Sequence, residues 1–317
     1  MLRWLALGLA LAGCGSESSP ASPSGGAAGQ AGAGGQAGGA GSGGSAGQAP
    51  CSEDPSTLPA GATCVLDVKG RLVNATGAPI AALSTSVCGS VCFYGESDAT
   101  GAFSVSLGAQ VVPSAYSTLP HGRPDRTSSY FPLPEPAPAH IDMGDLLVLD
   151  LPASGPLLTV KTDKLGAPAQ SVTSNGVTFD VPAGVAIKLD VEDLALGDAG
   201  KQFRALPIDA GVRDQFADPK LGLIALYALT PFEAAMQDET TGAEATASLS
   251  LPNSSGLSAG TKVEFLALGS YLFPGWVAPA AYEVVATGSV SSDGSRLEMD
   301  AGQGVRYVTW IGARPAP

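Results

Sequence analysis

Polar and apolar positions alternate along much of the chain beyond Cys64. Leu66, Val68, Gly70 and Leu72 alternate with Asp67, Lys69 and Arg71, the period-2 pattern of a strand with one buried face. Residues 74–79 read as a turn and residues 80–87 as a second short strand. Asp98 and Gly101 mark another turn, after which Phe103, Val105 and Leu107 fall on one face of a strand. A Pro-rich excursion over 113–138 separates this from a closing strand over 141–151. In the second half, residues 177–185 run as a strand into a Pro-x-Gly turn. Further strands are predicted over 245–251, 263–268, 282–290 and 305–311, and a short helix over 210–216. Strands punctuated by turns predict an all-β chain of two β-sandwich domains, 51–152 and 153–317, divided at the Pro- and Gly-containing turn near 152–156.

The first 50 residues follow no such pattern. Arg3 precedes an unbroken apolar run over 4–12, far short of the roughly 20 residues a spanning helix needs. A short apolar run with a positive flank is a secretory signal, here residues 1–13. It ends in Leu11-Ala12-Gly13-Cys14, which resembles the lipobox of bacterial lipoproteins: a large aliphatic residue, two small ones, then cysteine. The resemblance implies cleavage before Cys14, a diacylglyceryl thioether on its sulfur and an acylated new amino terminus. Each buried CH₂ of those chains contributes about 0.8 kcal/mol to membrane attachment. Gly15, not aspartate, follows the cysteine, and the family's sorting pattern then implies the outer membrane.

Residues 14–50 form the lipidated cysteine and a linker. From 15 onwards Glu17 is the only charge, and no aromatic or branched aliphatic residue occurs. Such a segment cannot bury enough apolar surface to offset its ordering entropy, so a flexible tether with a mean span of roughly 30–36 Å is expected. The Gly-Ala-Gln composition is similar to tethers of myxobacterial lipoproteins. Gly43-Gly44-Ser45-Ala46-Gly47 matches the G-x-S-x-G hydrolase pattern, but lacks the strand before and helix after that would make the serine a nucleophile.

Composition agrees with many short strands: 6% aromatic residues, 42 glycines and 25 prolines make a turn-rich chain. The net charge of −13 without a basic stripe excludes nucleic acid as a partner. With Cys14 lipidated, Cys51, Cys64, Cys88 and Cys92 remain. Export to an oxidising compartment predicts disulfides, and sequence proximity predicts Cys51–Cys64 and Cys88–Cys92 among the three connectivities.

Three stretches carry a further resemblance: Val68-Lys69-Gly70-Arg71-Leu72, Gly77-Ala78-Pro79, and Ser97 to Phe103 with Asp98 and Gly101. Together they resemble the carboxypeptidase regulatory-like (transthyretin-like) β-sandwich, an accessory module that implies no catalysis. Phe179 to Gly184, Leu229-Thr230-Pro231, Leu249 to Pro252 and Trp276 resemble a ZU5-like β-sandwich, which implies an interaction module.

Candidate chemistry is sparse. His121 and His140 are the only histidines; His121 reads as part of a polar loop, and no zincin motif or Ser-His-Asp pattern accompanies them. Asp190, Glu192, Asp193 and Asp198 read as a solvated acidic loop without EF-hand spacing. Tyr271, Trp276 and Tyr282, around Pro274-Gly275, are candidate ligand-binding residues that either form a sugar platform or fill the end of a core. No catalytic residue, metal or cofactor is expected. The sequence reads as a non-catalytic binding or structural module on the membrane through Cys14, with envelope polysaccharide or protein as partner. A carbohydrate-binding accessory protein and an envelope hydrolase are the alternatives.

Overall fold

The computed structural model describes Cys51, residues 53–160 and residues 166–317. The signal, lipobox, tether and Ser45 readings lie outside the described residues. The fold is all-β, 45% strand and 8% helix.

The first seven strands are β1 (Thr63–Val73), β2 (Ser84–Cys88), β3 (Cys92–Glu96), β4 (Ala102–Val111), β5 (Ser117–His121), β6 (Phe131–Pro132) and β7 (His140–Leu147). β1 lies between antiparallel β4 and parallel β7, and a second sheet has the order β3-β2-β5-β6. Val68, Leu72, Phe103, Val105 and Ile141 from the first sheet pack with Leu83, Val87 and Phe93 from the β2–β3 region. The alternation read over 66–72 shifts phase at a β-bulge between Val65 and Asp67. The extra residue lets Val65 and Val68 both point into the core and leaves Leu66 half-buried. The turn read at Asp98 is present: its Oδ1 accepts from the Thr100 and Ala102 amides at 2.8 and 3.0 Å. Gly101 there has φ 80° and sits against the Leu72 carbonyl, where a Cβ would collide.

Both disulfides have the expected pairing. Cys51–Cys64 (Cα–Cα 5.5 Å) fastens the chain entering the fold to β1. Cys88–Cys92 (Cα–Cα 4.1 Å) bridges opposed residues of the β2–β3 hairpin.

The Pro-rich excursion contains β5, which the alternation did not reveal. Ser117, Thr118, Leu119 and Pro120 are all buried, so no polar-out phase exists to be seen. Pro120 is tolerated because β6 pairs only with Ser117 and Thr118; beyond them β5 is an edge, where a missing N–H removes no ladder bond.

The second half contributes β8 (Gln170–Ser174), β9 (Val177–Val181), β10 (Val185–Lys188), β11 (Arg204–Pro207), β12 (Ala225–Thr230), β13 (Ala235–Asp238), β14 (Ser248–Pro252), β15 (Lys262–Leu268), β16 (Tyr282–Val290), β17 (Arg296–Met299) and β18 (Ile311–Pro315). Nine of these form one sheet, β11-β12-β18-β15-β16-β17-β14-β9-β8, and β10 pairs with β13 in a separate ribbon. The long sheet curls until its two ends meet. Asn175, in the β8–β9 turn, donates from Nδ2 to the Ala205 carbonyl at 2.7 Å, and the Ala205 amide donates to Ser174 Oγ at 3.1 Å. Phe179 stacks on Phe203 inside this near-barrel, with ring centroids 5.3 Å apart. Ile187 and Met236 of the ribbon join the same core.

The expected strand over 305–311 is not formed. Val305 and Tyr307 make isolated bridges to Ala247 and Ala235, and β18 begins only at Ile311. Val308, Thr309 and Trp310 are consecutively buried because this segment passes between two apolar clusters, Val308 in one and Trp310 in the other. β12 does the same as a strand: Tyr227 and Leu229 face the near-barrel interior, Leu226 and Ala228 the opposite cluster. That outer cluster also holds Leu119, Tyr130, Leu147 and Leu149. The two sets of strands therefore share apolar packing across β12.

Candidate functional site

A polar cleft opens beside this shared cluster. Its walls come from the end of β5 and the loop after it, from the segment 190–204, and from the chain leaving β12. Gly122, with φ 86°, turns the chain sharply as it leaves β5. His121 is the last residue of β5, not a loop residue as read from sequence. Its Nδ1 lies 2.9 Å from Glu192 Oε2, and its Nε2 is buried with no hydrogen-bond partner among the described residues.

Glu192 belongs to α1 (Val191–Ala195), a single turn whose N-cap is Asp190. Asp190 Oδ1 accepts from the Asp193 amide at 2.7 Å. The acidic segment expected as a solvated loop is thus a capped turn with Asp193 drawn inward. Burial first, then the like charges of Asp190 and Glu192, push the Asp193 carboxyl up to about 7. Gly200 fits against the Asp193 carbonyl, a position a Cβ would block.

Arg204 opens β11 and is buried, 4% exposed. Its Nη2 donates to Gln202 Oε1 at 2.6 Å and its Nη1 to the Ala199 carbonyl at 3.3 Å, while Nε has no partner among the described residues. Burial lowers its pKa from the usual guanidinium range, which Asp125 and Asp193 partly oppose.

Glu233 closes the cleft beyond β12. It is a buried carboxylate on a residue with φ 65°, a left-handed conformation that residues bearing a Cβ seldom adopt. Tyr130 Oη donates to its Oε1 at 2.5 Å, and Ser270 Oγ donates to the same oxygen. Burial raises the Glu233 carboxyl above its ordinary value, against the pull of these two donors. Tyr130 is held as the phenol by burial and by the neighbouring Glu233 charge. Of the remaining cations of the cleft, Arg123 pairs with Asp125 at 2.6 Å, and Arg126 lies close to Asp150 and Asp125 with its Nε and Nη1 buried and without hydrogen-bond partners among the described residues. The cleft therefore combines carboxyls whose pKa values burial raises with buried donors that lack acceptors, a pattern characteristic of polar ligand sites.

The aromatic candidates lie elsewhere and do not form an exposed row. Trp276 meets Tyr307 edge-on, centroids 4.8 Å apart, and Phe273 stacks on the same ring. Tyr271 packs edge-on against Tyr130 and shares a 3.0 Å hydrogen bond with Ser117 Oγ. The Tyr282 hydroxyl is buried without a partner among the described residues, and burial raises its pKa strongly. His140, at the start of β7, faces Asp67 Oδ2 at 2.5 Å, 73 positions away in sequence. Among the described residues no group of three or more His, Cys, Asp or Glu side chains is arranged to hold a metal ion.

No protein-family model matches the chain, and no curated protein matches its sequence.

Arg204, Glu233, Tyr130 and Ser270 were not identified from sequence. A signal was present for two of them. Arg204 is a lone charge between Phe203 and Ala205-Leu206, and Glu233 stands alone between Pro231-Phe232 and Ala234-Ala235-Met236. An ionisable side chain inside an apolar run is buried with partners or is functional.

Proposed function

We propose that this chain is a lipoprotein held at the cell envelope through Cys14, and that its disulfide-braced body is a non-catalytic binding module whose site is the His121–Glu233 cleft. The observation that carries the anchoring is Leu11-Ala12-Gly13-Cys14 at the end of a short apolar run behind Arg3. Gly15 favours the outer membrane, and the Gly/Ala-rich linker gives the body reach beyond the lipid surface. Two disulfides suit an oxidising compartment. On this reading residues 51–152 are a carboxypeptidase regulatory-like module and 153–317 a ZU5-like one, both accessory in kind. A binding role is supported by the way the cleft's acids are tied down, Glu192 against His121 and Glu233 by Tyr130 and Ser270.

Membrane fractionation of wild type and Cys14→Ser tests the anchor. Wild type is expected in the membrane fraction, and the variant is expected to be released or to accumulate unprocessed. A variant processed and retained like wild type would refute it.

A further inference from the structure

We propose that the cleft takes a small zwitterion of the amino-acid type, its carboxylate on Arg204 and His121 and its ammonium among Asp190, Glu192 and Asp193. The inference deepens the reading of this cleft as the binding site and is independent of the Cys14 anchor.

Two observations call for an acceptor. Arg204 is 4% exposed, and its Nε–H has no partner among the described residues. A buried charged donor left unpaired is costly, and an arriving carboxylate oxygen would relieve that cost. His121 has one ring nitrogen against Glu192 and the other buried and unpartnered. In its imidazolium form that second nitrogen is another donor towards the same ligand.

Beside these donors, the same cleft calls for a cation. Asp190, Glu192 and Asp193 crowd one turn of chain, and burial first, then that crowding, raises the Asp193 carboxyl to about 7. An ammonium group beside them would offset that crowding and favour the Asp193 carboxylate. Of the other charges lining the cleft, Arg123 is committed to Asp125 and Glu233 to Tyr130 and Ser270, while Arg126, close to Asp125 and Asp150, adds Nε and Nη1 as further buried donors without hydrogen-bond partners among the described residues.

A simple anion would gain Arg204 but meet the three carboxylates. A simple amine would gain the carboxylates but leave Arg204 and His121 unpaired. A molecule carrying both charges satisfies both sets of groups. The cavity of about 70 Å³ has room for a few waters, so glycine and alanine, the smallest carriers of both charges, are the first probes.

Isothermal titration of the purified full-length chain at neutral pH, with glycine, alanine, acetate and methylammonium as separate probes, tests the proposal. Glycine or alanine is expected to bind one-to-one. Acetate and methylammonium, each carrying half of the chemistry, are expected to bind at least about tenfold more weakly. Asp193→Asn and His121→Gln, both at positions the fold leaves partly exposed, are expected to weaken glycine binding by about tenfold or more while the chain still melts cooperatively. Arg204→Lys, which keeps the charge and loses the fork, is expected to weaken it too. No binding of either amino acid at about 10 mM, acetate or methylammonium matching glycine, or both well-folded variants binding like wild type would each overturn it. Failure here with Cys14 anchoring intact removes the ligand and spares the envelope reading; failed anchoring with glycine bound does the reverse.

Discussion

Trp310 donates its indole Nε1–H to the Ser128 carbonyl at 2.6 Å. The bond joins residues 182 positions apart and fastens the segment before β18 to the chain between β5 and β6. Trp310 is fully buried, with its ring against Phe216 at 4.6 Å. Trp310→Phe keeps most of the ring but leaves the Ser128 carbonyl without this donor, and is expected to cost about 1–3 kcal/mol. Because the shared cluster spans both sets of strands, denaturant unfolding is expected to remain a single transition. Separate transitions for the two halves would show that the packing across β12 does not couple them.

The Cys51–Cys64 bond closes a loop with a sequence separation of 13. Replacing both cysteines by serine is expected to lower stability by about 3 kcal/mol in the chain-entropy description. The Cys88–Cys92 bond spans only four positions and constrains little unfolded chain, so its removal is expected to cost less. Denaturation midpoints of the two double variants give the comparison; the reverse order would contradict it.

Asp193 and Glu233 both have carboxyl pKa values raised by folding, that of Asp193 to about 7. The folded state therefore holds protons that the unfolded chain gives up near pH 4, and stability falls as pH rises from about 4 through about 7. The effect of Asp193 is on the order of a few kcal/mol, reduced because the residue is only partly buried. Asp193→Asn is expected to flatten this part of the stability–pH profile. Urea midpoints at closely spaced pH values measure it, and an unchanged slope in the variant would show that another group is responsible.

Gly155 packs directly against the Phe203 carbonyl, leaving no room for a Cβ. Its amide N–H donates to Gln202 Oε1 at 3.2 Å, beside the bond from the Phe203 amide to the Pro156 carbonyl at 2.8 Å. Gly155→Ala is expected to destabilise by about 1–3 kcal/mol through overpacking. Gly77→Ala, at a turn with open space around it but φ 78°, is expected to lose only the cost of the left-handed conformation, about 1–2 kcal/mol. Thermal melts of the two variants separate crowding from backbone strain; equal losses would argue against crowding at Gly155.

The strands legible in the sequence were those with one wet face. β16 covers the segment read from alternation over 282–290, and β4 buries Phe103, Val105 and Leu107 as the pattern implied. β5 and β12 were hidden because they are buried on both faces, so their polarity does not alternate. The segment before β18 was misread as strand because its consecutive apolar residues serve two clusters rather than one sheet face. The cysteine pairs were legible because each pair is close in sequence. The cleft was not: His121 meets Glu192 across 71 positions and Tyr130 meets Glu233 across 103. Periodicity carries no information at that range, and only the isolated charges at Arg204 and Glu233 pointed to a buried polar site.

Anchoring through Cys14 is tested most directly by mass spectrometry of the amino-terminal peptide from the native protein. The expected peptide begins at Cys14 and carries a diacylglyceryl thioether with an acylated amino group. A mature chain that begins at another residue, or that retains Cys14 with an unmodified thiol, would contradict it.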